Sequence, residues 1–303
     1  MTKKHIAICI SGMIRSDFET IPSLNFLIEK LEKIGYLVDV FIHTWSIRQV
    51  YAPGGMNKIE RRVPKIVLEM LPPEYRNLEA FEKYFPKTFS LLEKPIFDDF
   101  DSKILERINN LRLVKVETQE SFHRCLDKRL KSNIVFKNSL NQANMFYGMF
   151  SAFDLARQYS AENSLEYSAI FRMRPDTFIV RVDEDLLENE LNDKKIRSRN
   201  ISEIGCGDVF FFGPPKNMYS IIELWESIEN NKSTDLFGDG QKRFAEPLLA
   251  EWFKSRDINY DIVKSIHATL PMRFVNEVNM QHPDLVNTLE AEAQMNSVPF
   301  NKY

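Results

Sequence analysis

His5-Ile-Ala-Ile-Cys-Ile-Ser-Gly12 decides the architecture. Its unbroken apolar run, far too short to span a membrane, is the pattern of a strand buried on both faces, and Ser11-Gly12 closes it with a turn. Downstream, Pro22 to Ile34 carries Leu24, Leu27, Ile28 and Leu31 at helical spacing, with Gly35 where a C-terminal cap is expected. Leu37-Val-Asp-Val-Phe-Ile-His43 reads as the next strand. Strand, helix, strand is the unit of a sheet covered by helices, so the sequence predicts an α/β fold with a mostly parallel sheet in one large domain.

The same pattern continues less regularly. Between about 51 and 130, Gly54-Gly55, Pro64, Pro72-Pro73 and Pro86 interrupt short helical patterns, and this stretch is read as an insertion on the sheet that ends near a strand at Leu113-Val-Lys-Val-Glu117. Ser139-Leu-Asn-Gln142 opens a helix with a capping box. Met145, Phe146, Met149, Ala152, Phe153, Ala156 and Tyr159 mark its apolar face, which is read as core packing. Gly205 to Gly213 predicts a phenylalanine-rich strand, Pro214-Pro215 the start of a helix, and Ala245 to Lys254 a further amphipathic helix. Tyr260 to Lys264 reads as an edge strand, followed by a tail with little regular periodicity.

Composition narrows the function classes. With 303 residues and 44% hydrophobic content the chain can bury a sizeable core. A net charge of −3 gives no overall basic surface for nucleic acid. The three cysteines, Cys9, Cys125 and Cys206, are widely spaced and odd in number, which predicts reduced thiols and a cytoplasmic setting. No transmembrane segment or cleavable leader is expected at the N-terminus, and peripheral membrane contact stays open. Neither Gly-x-Gly-x-x-Gly nor Gly-x-x-x-x-Gly-Lys-[Ser/Thr] follows the first strand, which counts against a dinucleotide oxidoreductase and a P-loop kinase.

Charge concentrates in Arg172-Met-Arg-Pro-Asp-Thr-Phe178, directly after a predicted strand from Glu166 to Phe171. Pro175 cannot continue a central ladder, so the chain is expected to leave the sheet near Arg174. Two guanidiniums and a carboxylate then gather at the carboxyl end of a strand, where open α/β sheets bind ligands. Arginine forks match phosphate oxygens and an aspartate can hold a divalent ion, so the segment suits a phosphorylated ligand, with Asp176 at the centre of the site. The alternative is a turn in which Arg and Asp pair with one another.

Taken together, Ile10-Ser-Gly-Met-Ile-Arg15, Phe41-Ile-His-Thr-Trp45, the Asn141-Gln142 helix leading to Ile170-Phe-Arg-Met-Arg-Pro-Asp176, and Gly207-Asp-Val-Phe-Phe-Phe-Gly213 resemble the bacterial and viral polysaccharide glycosyltransferases of GT-A type. The resemblance covers about two thirds of the chain and implies a Rossmann-type fold. It also implies transfer of a hexose-type unit from a nucleotide-sugar donor to a carbohydrate acceptor, in surface polysaccharide synthesis. On this reading 1–180 forms the donor-nucleotide half and 181–303 the acceptor half. Ser11, Gly12, Arg15, Thr44, Trp45, Asn141, Gln142, Arg172 and Arg174 would contact the donor. Mn²⁺ or Mg²⁺ would sit at Asp176, with His267 a further ligand.

The chain departs from the family at the metal motif, where the usual Asp-x-Asp is replaced by Arg174-Pro175-Asp176 with its single carboxylate. One carboxylate plus donor phosphates can hold a cation, or Arg172 and Arg174 can neutralise the diphosphate directly, and metal dependence stays open. Glu246, at the opening of a late helix, is the candidate catalytic base by resemblance, with Asp208 as its competitor. Asp235 and Asp239 are read as an acceptor-side loop. Two other classes remain: a nucleotidyltransferase on the same platform, or a non-catalytic carbohydrate- or nucleotide-binding protein with a degenerate transferase fold.

Overall fold

The computed structural model describes residues 4–15, 17–51, 59, 63, 65–92, 96–129, 140–202, 205–229, 245–270 and 283–300. The chain is an α/β domain whose contacts sort into two compact units, Met1–Ser46 with Phe100–Leu270, and Ile47–Asp99 with Pro271–Tyr303. The first unit holds the whole seven-stranded sheet. Its strands are β1 (Lys4–Ser11), β2 (Tyr36–Trp45), β3 (Leu111–Glu117), β4 (Tyr167–Met173), β6 (Ile196–Ser198), β7 (Phe210–Gly213) and β8 (Tyr260–Ile262), while β5 (Phe178–Val182) pairs separately with β9 (Ile266–Thr269). The sheet order is β8-β6-β7-β4-β1-β2-β3. All neighbours are parallel except β7, which runs antiparallel to both β4 and β6. The mostly parallel, Rossmann-like sheet expected from the opening residues is therefore present.

Alternation along the strands divides the side chains between two faces. Ile6, Ile8, Ile10, Val38, Val40, Ile42, Phe171 and Met173 form one face and pack against Leu24, Leu27, Ile28 and Leu31 of α1 (Asp17–Lys33). At about 25 cal/mol per Å² of apolar surface removed from water, this cluster is the main term holding α1 to the sheet. Ser11, Cys9, His43, Trp45 and Arg172 fall on the other face, beside the long helix α2 (Leu140–Glu162). The stripe read from sequence is largely core, since Phe146, Met149, Ala152, Phe153 and Ala156 are all buried. α1 begins five residues before the expected start at Pro22, which lies inside the helix. Asp17 and Glu19 favour that earlier start by opposing the positive end of the helix dipole.

Two further differences concern the sheet edge and the tail. β3, which falls within the stretch read as an insertion, is an edge strand of the main sheet and pairs with β2 from Val40↔Leu111 to Trp45↔Glu117. The tail contains a helix, Pro283–Met295, whose Leu285, Leu289 and Ala293 are buried in a second apolar cluster with Phe81, Phe85 and Phe89. Its Glu292 is buried too and accepts from the Lys87 and Thr88 backbone N–H groups, each at 2.9 Å, and from Thr88 Oγ1 at 2.8 Å. Helical spacing was present at those three positions, but polar neighbours diluted it. Among the described residues, no helix is long and apolar enough to cross a membrane.

Candidate functional site

The strand order reverses between β1 and β4: the chain builds outward from β1 through β2 to β3, then returns to place β4 on the other side of β1. Ligands of open α/β sheets bind outside the carboxyl ends of the strands at such a switch point. The turns that leave β1 and β4 here touch each other. A Cβ added to Gly12 would lie 3.1 Å from Pro175 Cδ, and Gly12 has φ +131°, so both the close approach and the backbone conformation call for glycine. The Gly12 N–H donates to the His43 carbonyl at 3.2 Å, which ties this turn to β2 as well.

After Met173 the chain leaves the sheet as expected. Thr177 N–H donates to the Arg174 carbonyl at 3.0 Å, closing a turn that has Pro175 at its second position and Asp176 at its third. Two contacts anchor the turn to Val209, from Arg174 N–H at 3.0 Å and from Thr177 Oγ1 at 3.3 Å. Asp208, one residue earlier, is thereby held near the arginines. Asp176 is only 4% exposed and makes a two-point pair with Arg174, Nε to Oδ1 at 2.9 Å and Nη2 to Oδ2 at 2.7 Å. Arg15 Nη1 approaches Oδ2 at 3.7 Å. The pairing of Arg and Asp weighed as an alternative is thus real, but it is sheltered from solvent and not an exposed turn.

The electrostatics extend beyond this pair. Burial lowers the pKa of Arg15, opposed by the Asp176 charge. Arg174 is also penalised by burial, but Asp176, by charge and hydrogen bonds, together with Asp208 and Glu246, leaves its pKa above the ordinary value. Arg172 is fully enclosed, and burial brings it down to about 10 in spite of Asp208, so it stays protonated near neutrality. Its Nε and Nη1 have no hydrogen-bond partner among the described residues. Arg199, which follows β6, feels the charge of Arg174 and was not singled out from sequence. Beside the two turns, on the α1 face, a small open cleft is lined by Ile10, Ile14, Asp17, Thr20, Arg174 and Pro175 among others. Asp176 is not part of that lining.

The remaining candidates separate by position. Asp208 is half-buried beside β7, and Glu246 is half-buried in the first turn of α3 (Ala245–Ser255); both act electrostatically on Arg174. Ser11 and Thr44 are buried, with hydroxyls that lack partners among the described residues. Trp45 is 2% exposed and packs against His43, Phe122 and Tyr147, so its ring belongs to the core. Asn141 is exposed and Gln142 half-buried at the start of α2, while Ser139, Asp235 and Asp239 lie outside the described residues.

A metal ion at Asp176 does not fit the donor set. Both carboxylate oxygens are engaged by Arg174, and among the described residues no cluster of three or more His, Cys, Asp or Glu is arranged to hold an ion. The expected further ligand, His267, is exposed on β9 in register with Arg181 of β5. Arg-Pro-Asp spacing suits a tight turn, and a turn brings its first and third side chains together, which is why the aspartate meets a guanidinium.

A second charged group, not foreseen from sequence, lies one strand over. His43 Nε2 is 3.0 Å from Glu117 Oε2, which also receives Tyr147 Oη at 2.8 Å and Lys115 Nζ at 2.9 Å. Lys115 Nζ further donates to Tyr147 Oη at 2.9 Å. Burial opposes the charge on Glu117, but the three donors bring its pKa down to about 2. Burial lowers that of His43. α2 comes this close because residue 148 is glycine: a Cβ there would stand 3.3 Å from His43 Nδ1 and 3.4 Å from Ser11 Cβ. The signal in the sequence was weak, since His43, Glu117 and Tyr147 are far apart and meet only through register.

Fold and site together define an α/β protein of Rossmann-like architecture with an arginine-rich turn at its switch point. No protein-family model matches the sequence, and a search of curated proteins finds no similar chain.

Proposed function

We propose that the chain is a glycosyltransferase that moves a sugar from a nucleotide-sugar donor to a glycan or other carbohydrate acceptor, in surface polysaccharide synthesis. The observation that carries this reading is the contact of the two turns at the switch point, which brings Arg15 and Arg174 to one carboxylate beside a buried Arg172. Glycosyl transfer develops negative charge on the departing diphosphate, and fixed guanidiniums stabilise it in proportion to how little they must reorganise. The motif resemblance supports the same reaction class. Asp208 and Glu246, both felt by Arg174, are the carboxylates proposed to accept the proton of the acceptor hydroxyl.

The test is a thermal-shift screen of nucleoside diphosphates and nucleotide sugars, followed by an assay for nucleoside diphosphate released from the stabilising donor with and without added glycan. A ligand that binds the native state alone raises Tm by mass action. The expected result is stabilisation by one nucleotide class and acceptor-stimulated release. Stabilisation without release would favour the binding protein, and turnover of nucleoside triphosphates would favour the nucleotidyltransferase.

A further inference from the structure

We infer that Asp176 is the resident counter-ion of an arginine fork and that a diphosphate takes its place on Arg174 without a metal ion; this rests on the donor-diphosphate reading above. The first ground is geometry. The Asp176 carboxylate is enclosed, at 5% side-chain exposure, while the side chains of Arg174 and Arg15 are 28% and 26% exposed. An incoming anion therefore meets the arginine side chains before it meets the carboxylate. A planar guanidinium accepts two oxygens of a phosphate in the same two-point geometry it uses for a carboxylate.

The second ground is charge. Among the described residues, the groups that act on one another here are Arg15, Arg172, Arg174 and Arg199 against Asp176, Asp208 and Glu246, so positive charge is in excess by one. A divalent cation arriving at Asp176 would displace a two-point ion pair and face guanidiniums across short distances. A dianion would relieve the same repulsion. The third ground is the enclosed Arg172, whose Nε and Nη1 lack partners among the described residues. A buried cation without full pairing is costly, and an anion nearby offsets that cost.

Titration calorimetry of the full chain with inorganic pyrophosphate, in EDTA and again in Mn²⁺, tests the inference. Pyrophosphate is expected to bind in EDTA about as tightly as with Mn²⁺. In Asp176→Asn, which keeps the shape and removes the competing charge, binding in EDTA should tighten on the order of tenfold, as expected for removing a like charge within a few ångströms. Binding that requires Mn²⁺, or that is unchanged or weaker in Asp176→Asn, overturns the inference and leaves the diphosphate reading standing. The wild-type comparison with and without metal decides even if the variant folds poorly. No pyrophosphate binding under either condition sinks the diphosphate reading along with it.

Discussion

Two charged groups sit at the carboxyl ends of neighbouring strands, and they are built in opposite ways. At β2 and β3 one carboxylate, Glu117, receives His43, Lys115 and Tyr147, all three on Oε2. At β1 and β4 one carboxylate, Asp176, faces Arg174 and Arg15 beside Arg172, whose guanidinium keeps N–H groups without partners among the described residues. In the first the donors converge on their carboxylate, although the buried His43 Nδ1 has no partner among the described residues; in the second the unpartnered nitrogens belong to a fixed cation. Buried polar groups normally find partners, so surplus cationic donors gathered at a switch point mark a place for an anionic ligand.

The sharpest break of this comparison is Arg174→Lys, which keeps the charge and removes the fork. If the turn is the donor site, transfer should fall on the order of 100-fold, the usual loss when one positioned donor to a developing anion is removed. The Tm should fall only modestly, since lysine keeps the charge and can keep one contact to the sheltered Asp176. A large Tm loss with unchanged specific activity would make the turn structural and reverse its contrast with the Glu117 group.

Glu117→Gln should do the reverse. Hydrogen bonds to a charged group contribute roughly 1.5–3 kcal/mol in sheltered sites, and with Glu117 30% exposed a loss of about 1–2 kcal/mol in denaturant unfolding is expected. The activity of the folded fraction should be retained. Lost activity at full stability would transfer function to this group.

The smallest effect is in pH. His43 has a folded pKa below its ordinary 6.5, so the unfolded chain takes up the proton first and stability falls as pH drops below 6.5. Glu117 adds a second loss as pH falls from 4.5 toward about 2, since its stabilisation is complete only above 4.5. Thermal melts of the wild type and His43→Gln from pH 7.5 to 5 should show the upper step in the wild type alone. Equal slopes would mean that His43 does not titrate on unfolding.

Much of the fold could be read in advance because its signals are local. The isoleucine run of β1, the helical spacing of α1 and the phenylalanines of β7 each lie within one segment, and Pro175 placed the exit from β4 within one residue. Diluted signals failed: three buried positions scattered through Pro283–Met295 did not outweigh the polar residues between them. The site was legible in part. The segment carrying Arg172, Arg174 and Asp176 stood out by composition, whereas the role of Trp45 did not, because a tryptophan that ends a strand looks the same whether solvent or Phe122 and Tyr147 face it.

The sequence by itself determined the kind of element each segment forms and the clustering of charge after β4, since both depend on residues a few positions apart. Only the tertiary structure decided which charges are neutralised. Asp176 is taken by Arg174 and Arg15, Glu117 by His43, Lys115 and Tyr147, and Arg172 is left short of partners. Coulomb and hydrogen-bond energies turn on separations of a few ångströms, which strand order, register and the closeness of α2 at Gly148 set between residues distant along the chain.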